Sequence, residues 1–143
     1  MGWTKCFGSN GLGILGNASV VLSNPVPQSV CAKADCSAGL TAVTGVSTYD
    51  ESACAVAGGA VKCWGTNYGG ALGDGTTSAS QGFAATTAIA SGAVAVASIG
   101  PMNMAIVADR ANRSLRCWGA ESGSLCGTGL PDGNRTTPVS PAW

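Results

Sequence analysis

The chain has 143 residues, 45% of them apolar and only 10% charged, which is enough to bury a core and excludes a disordered tail. Seven basic and seven acidic residues cancel without any Lys/Arg cluster, so the electrostatic footprint that would hold nucleic acid or an anionic membrane is missing. The sequence contains no histidine, which removes the commonest general base and the commonest metal ligand together.

No stretch carries a sustained helical period with caps; Val, Thr, Ile and Ala segments are cut at short intervals by Gly, Pro, Asn or Asp, an all-β pattern. The first element is the strand Cys6-Phe7-Gly8, followed by a glycine-rich tail from Asn10 to Asn17. Residues 31–45 have little periodicity and read as an insert, although Leu40 to Val46 has strand composition. Ser52 to Val56 and Ala60 to Gly65 then flank Ala57-Gly58-Gly59, whose glycines supply the positive φ that a tight hairpin demands. Cys63-Trp64-Gly65 closes this hairpin and leads into a second glycine tail, Asn67 to Gly75. The uncharged run from Gly75 to Asp109 is poor in Leu and Phe and broken by Gly100-Pro101. It reads as strands and a turn, one strand being Ala93 to Ile99, rather than as a membrane span. Met104 to Ala108 and Ser114 to Gly119 flank a looser loop, and Cys117-Trp118-Gly119 opens a third tail, Glu121 to Gly129.

The Cys-aromatic-Gly tripeptide therefore recurs at intervals of 57 and 54 residues. A chain of repeated supersecondary units buries its core by stacking them. We read residues 1–143 as one repeat domain with copies at 1–30, 46–87 and 93–143 and an insert at 31–45. The rings of Phe7, Trp64 and Trp118 are expected to pack copy against copy, and Leu15, Leu72 and Leu125, lying among the tail glycines, to plug a shared core.

The string Ser52-Ala53-Cys54-Ala55-Val56, a glycine turn, Val61-Lys62-Cys63-Trp64-Gly65-Thr66-Asn67 and Gly70-Ala71-Leu72-Gly73-Asp74-Gly75-Thr76 resembles the repeat of the regulator of chromosome condensation family. In that family about seven repeats form the blades of a β-propeller, each a four-stranded antiparallel sheet. The first copy lacks the preceding hairpin strand; in the third, Met104 takes the place of Cys54 and Cys126 that of a glycine. The resemblance implies about three antiparallel blades, an incomplete all-β propeller that needs extra blades or neighbouring subunits to close. The family's namesake is a nucleotide exchange factor that docks on chromatin, a role demanding basic surfaces that this chain lacks. Others are inhibitors of β-lactamases or secreted bacterial proteins, which the cysteine-bearing copies resemble more.

Seven cysteines with few charges point to an oxidising compartment, extracellular or at the cell surface. Cys54 and Cys63 sit on two strands of one expected hairpin, close enough for a bridge if they face each other. Cys31 with Cys36 would staple the insert, and Cys117 with Cys126 the third tail. Cys6 is left over. By analogy with the middle copy it would pair with a cysteine on a preceding strand that this chain does not contain, supplied by a neighbouring subunit or by upstream sequence; the alternative is a free or buried thiol. Sequons at Asn17, Asn112 and Asn134, all in expected loops or turns, are candidates for glycans. Met1 to Lys5 runs into the first copy without an apolar leader, which fits a mature or internal piece of a longer secreted protein.

Carboxylates at Asp35, Asp50, Glu51, Asp74, Asp109, Glu121 and Asp132 are scattered, and there is no Cys-x-x-Cys pair, phosphate-cradling loop or nucleophile–base pair. No enzyme activity, metal or cofactor is expected. The expected role is structural: an extracellular unit that associates with itself through open sheet edges as a head-to-tail filament or multimer. The alternative is a protein-binding module, inhibitor-like or adhesive, cut from a larger propeller, with Trp3, Tyr68 and Trp143 as anchors.

Overall fold

A computed structural model describes residues 2–78, 81–86, 89–108, 113–121 and 124–142. The described residues form ten strands and no α-helix: β1 (Lys5–Ser9), β2 (Ser23–Ser29), β3 (Val43–Tyr49), β4 (Ser52–Ala57), β5 (Ala60–Gly65), β6 (Gln81–Thr86), β7 (Ala93–Ile99), β8 (Met102–Ala108), β9 (Arg113–Glu121) and β10 (Gly133–Val139). They pair into three antiparallel sheets, β1-β2, β3-β4-β5-β6 and β7-β8-β9-β10. The second and third are four-stranded meanders, the blades implied by the repeat; the first contains only the counterparts of β5 and β6.

The Gly58-Gly59 turn closes the β4–β5 hairpin with φ of 59° and 79°, matching the right-handed twist of the strands it joins. Its register sets Cys54 opposite Cys63, and the two are bonded. Cys31 is bonded to Cys36 and Cys117 to Cys126. The expected strand at Leu40 to Val46 starts later, at Val43, because Leu40 has another task. Its backbone bonds Thr4 and Val30, and its side chain is buried. Ile89 occupies the same place one blade on, where its carbonyl accepts from Val61 N.

The core lies between sheets. Trp64, fully buried, packs with Val30, Leu40, Ala53, Ala55 and Ala84, and its indole Nε1 donates to Ile14 O at 2.7 Å. Trp118, also fully buried, packs on Cys54, Val56, Val61 and Leu72, and its Nε1 donates to Ala71 O at 3.0 Å. Each ring thus seats on the glycine tail of the preceding sheet. A Cβ on Gly16 would stand 2.9 Å from Trp64 Cδ1, and one on Gly73 2.7 Å from Trp118 Cδ1, closer than carbon atoms approach. Glycine at these tail positions is what admits the ring.

The tails are held by a buried polar residue four places after each repeated cysteine. Asn10 Oδ1 accepts from Leu15 N at 3.0 Å, Asn67 Oδ1 from Leu72 N at 2.9 Å, and Glu121 Oε1 from Cys126 N at 3.0 Å. Asn67 Nδ2 also donates to Thr76 O and Oγ1, and Asn10 Nδ2 to Ser19 O and Val21 O. This alignment corrects the third tail. Cys126, not Leu125, is the counterpart of Leu15 and Leu72; it is buried while Leu125 is 57% exposed. Ser124, with φ of 56°, takes the place of the glycines at 13 and 70.

The two indole bonds differ in what they leave behind. Ala71 O also receives Asn103 Nδ2 at 2.8 Å, whereas Ile14 O has no second donor among the described residues. Trp64→Phe, which leaves the part-buried Ile14 carbonyl without a protein donor, should therefore cost about 1–2 kcal/mol, and Trp118→Phe under about 1 kcal/mol, in urea unfolding followed by circular dichroism. By the same reasoning Asn67→Ala strands Leu72 N–H and should cost about 1–3 kcal/mol.

Candidate functional site

The two ends of this stack leave exposed what the two internal junctions bury. At the near end, no strand among the described residues pairs with the edge of β1 that faces away from β2. A groove of about 350 Å³ runs along this edge, lined among others by Cys6, Phe7, Ile14, Leu15 and Thr48. In the second sheet β4 fills the corresponding space beside β5. Val46, whose counterpart Val96 packs into the core, is 49% exposed on β3 beside this space.

Phe7 is the main correction to the expected packing set. Its counterparts Trp64 and Trp118 are 0% exposed, but Phe7 is 70% exposed. The cause is positional: each ring seats on the tail of the preceding sheet, and none of the described sheets precedes β1. Trp64 and Trp118 are brought into the core as expected, as are Leu15 and Leu72.

Cys6 is the free cysteine of the described residues and is half-buried. It lies opposite Gln28 of β2, its other side facing the groove. Burial pushes its thiol pKa up, so the protonated, weakly nucleophilic form is favoured near neutrality.

At the far end, Ala95, Ala97, Met104, Ile106 and Leu115 line an apolar groove of about 180 Å³ on the outer face of the third sheet. Register makes Met104 and Ile106 the counterparts of Cys54 and Val56, which the third sheet covers completely. The third tail borders this face, carrying Leu125, Cys126 and Gly127 at the positions of Ile14, Leu15 and Gly16.

The remaining expected sites are dispersed. Asn17 lies in a turn with its Oδ1 accepting from Ser19 N at 3.1 Å. Asn134 is exposed on strand β10, not in a loop, paired with Ala120. Asn112 and Trp143 lie outside the described residues. Trp3 is half-exposed against Gly39, and Tyr68 stands 71% exposed. Asp50 and Glu51 form the β3–β4 turn at the rim of a pocket shared with Tyr49 and Tyr68. Among the described residues no three Cys, Asp or Glu side chains gather as a metal site, and no helix is long and apolar enough to cross a membrane. The buried Glu121 carboxylate holds Arg135 Nη2 at 2.9 Å as a charge contact that lacks hydrogen-bond alignment.

Sequence reasoning missed Asn10, Asn67 and Glu121, though their constant offset from Cys6, Cys63 and Cys117 was a readable signal. It also missed that the rings act across sheets, which left the exposure of Phe7 unforeseen.

Comparison with solved structures establishes the fold. Human WBSCR16 superposes with a TM-score of 0.78 at 18% identity, over 97% of this chain and 33% of that one. Prp20p from Saccharomyces cerevisiae, described with its binding to Gsp1p and histones, gives 0.77 at 12% identity, over 95% of this chain and 33% of that one. The same yeast protein, there called RCC1 and bound to Kap60, gives 0.77 at 12% identity over 95% of this chain and 32% of that one. The chain has the fold of the propellers of the regulator of chromosome condensation family and spans about a third of the length of those it matches. No protein-family model and no curated protein sequence matches it.

Burial of the Cys6 thiol gives a direct chemical check. Iodoacetamide labelling under native, non-reducing conditions should be slower than for an unfolded thiol at the same pH and should rise with pH beyond the ordinary thiol range. Labelling at the unfolded rate, read by mass spectrometry, would contradict the half-buried placement.

Proposed function

We propose that this chain is a non-enzymatic, extracellular or cell-surface structural protein whose blades associate copy to copy through their open edges, as a head-to-tail filament or multimer. The observation that carries this reading is the contrast between Phe7, 70% exposed, and Trp64 and Trp118, both 0% exposed in the same structural role. Each end of the stack presents one half of a junction that the interior builds twice. A surface and its complement on opposite ends of one molecule define a heterologous contact, which closes into a ring or propagates as a fibre according to its rotation. The unpaired edge of β1 adds backbone donors and acceptors that pair readily with another strand. Three disulfides in so short a chain suit an oxidising compartment, and of the two sequons among the described residues exposed Asn134 has the freer side chain for a glycan.

A second reading, a module that binds a different protein, draws support from the described partners of Prp20 and from the short span of this chain on those propellers. Further blades in a longer polypeptide would cover both ends, leaving the loops to bind.

Sedimentation velocity and negative-stain electron microscopy of the purified chain, from about 1 to 100 μM, separate the two. Assembly is expected to grow with concentration into species of regular repeat. A monomer throughout that range, with one defined partner recovered by pull-down, would overturn the assembly reading in favour of the module.

A further inference from the structure

We infer that the third glycine tail is a socket for Phe7 of a second copy of this chain. This rests on the assembly reading above and specifies its contact.

The argument is one of register. At both internal junctions a ring two residues into the strand-borne repeat meets the same three features of the preceding tail. There is a glycine whose missing Cβ admits the ring, Gly16 or Gly73; a carbonyl two residues before it, Ile14 or Ala71; and a buried side chain between, Leu15 or Leu72. A second backbone tie lies just beyond. Ala18 N donates to Gly82 O at 2.7 Å, and Gly75 N to Thr136 O at 2.8 Å, each joining a tail to the outermost strand of the next sheet.

The third tail repeats this geometry without an occupant among the described residues. Gly127, with φ of 59° against 64° and 69° at Gly16 and Gly73, stands at the notch position. Cys126 is buried below it, and a Cβ on Gly127 would meet nothing nearer than Pro141 Cβ at 3.8 Å. Leu125 O holds the carbonyl position and Gly129 N that of Ala18 N and Gly75 N. The complementary groups are on the first sheet of the same chain. Phe7 is the exposed ring, and Pro25 O, on the exposed outermost strand β2, corresponds to Gly82 O and Thr136 O. The first sheet has both of the strands this contact requires, so its missing pair does not prevent docking. A second copy is therefore the occupant: it brings ring and acceptor in the register that the interior already uses twice.

The phenyl ring has no N–H, so Leu125 O receives no bond from it. The joint between copies lacks the indole hydrogen bond of both internal joints and the packing of β7 on β3 and β4 that the second one adds, which makes association reversible.

The test uses the full chain. Phe7→Ser removes an exposed ring, and Gly127→Asn fills the notch with a residue that tolerates left-handed backbone; circular dichroism and melting should show both folded. Wild type is expected to assemble, each variant alone to stay monomeric, and an equal mixture to stop at a one-to-one dimer, since one variant keeps its socket and the other its ring. Phe7→Trp restores the indole donor and should tighten association about two- to tenfold. Variants that assemble like wild type, or a mixture that stays monomeric while wild type assembles, would overturn the socket and leave assembly by another surface standing. A monomeric wild type would overturn both.

Discussion

The fold depends on an indole seated in a glycine notch. Two antiparallel sheets of this composition have little else to bind them: their facing strands are rich in alanine, and small side chains bury little area each. Trp64 and Trp118 are the largest buried side chains at the two junctions, and their N–H groups fix where on the preceding tail they sit. The tail must therefore be rigid before the ring arrives. Asn10, Asn67 and Glu121 see to that by accepting from the backbone of the residue that plugs the turn. The order of dependence runs from buried polar side chain to tail, from tail to ring, and from ring to the stacking of sheets.

The third copy shows how far this scheme tolerates substitution. Where the second has a disulfide across the hairpin, the third sets Met104 opposite Cys117 and turns the cysteine toward its own tail, bonding it to Cys126. A cross-strand staple has become a staple from strand to turn, and a thioether fills the vacated hairpin position. Glu121 replaces an asparagine and, being charged, draws Arg135 from the outermost strand. The acceptor that holds the turn survives the change, while the donor role of the amide is lost.

What could be read from the sequence follows from where period and chemistry coincide. β4, β5, β8 and β9 were legible because alternation, a turn signal and the tripeptide all agree, and Ala93 to Ile99 because its valines, isoleucine and small residues run unbroken between Gly92 and Gly100. β2, β6 and β10 were not, since Pro25, Pro27, Gly82 and Pro138 look like breakers. Each of these strands is outermost in its sheet, where a proline's missing N–H faces no partner strand. Leucine does not mark the third tail for a related reason: the repeated geometry belongs to the hydrogen-bonded position, which Cys126 fills.

The sheets follow the copies at 1–30, 46–87 and 93–143 rather than the intervals between tripeptides. The tripeptide marks the third strand of a blade, so a copy counted from one tripeptide to the next joins the outer half of one sheet to the inner half of the following one. Residues between Cys6 and Cys63 belong to two sheets, β1-β2 and β3-β4-β5. The modular unit is consequently the sheet, not the interval from one tripeptide to the next. A longer or shorter version of this protein would keep whole sheets if cut before β3 and before β7, whereas cuts at Cys63 and Cys117 would split the second and third blades in half.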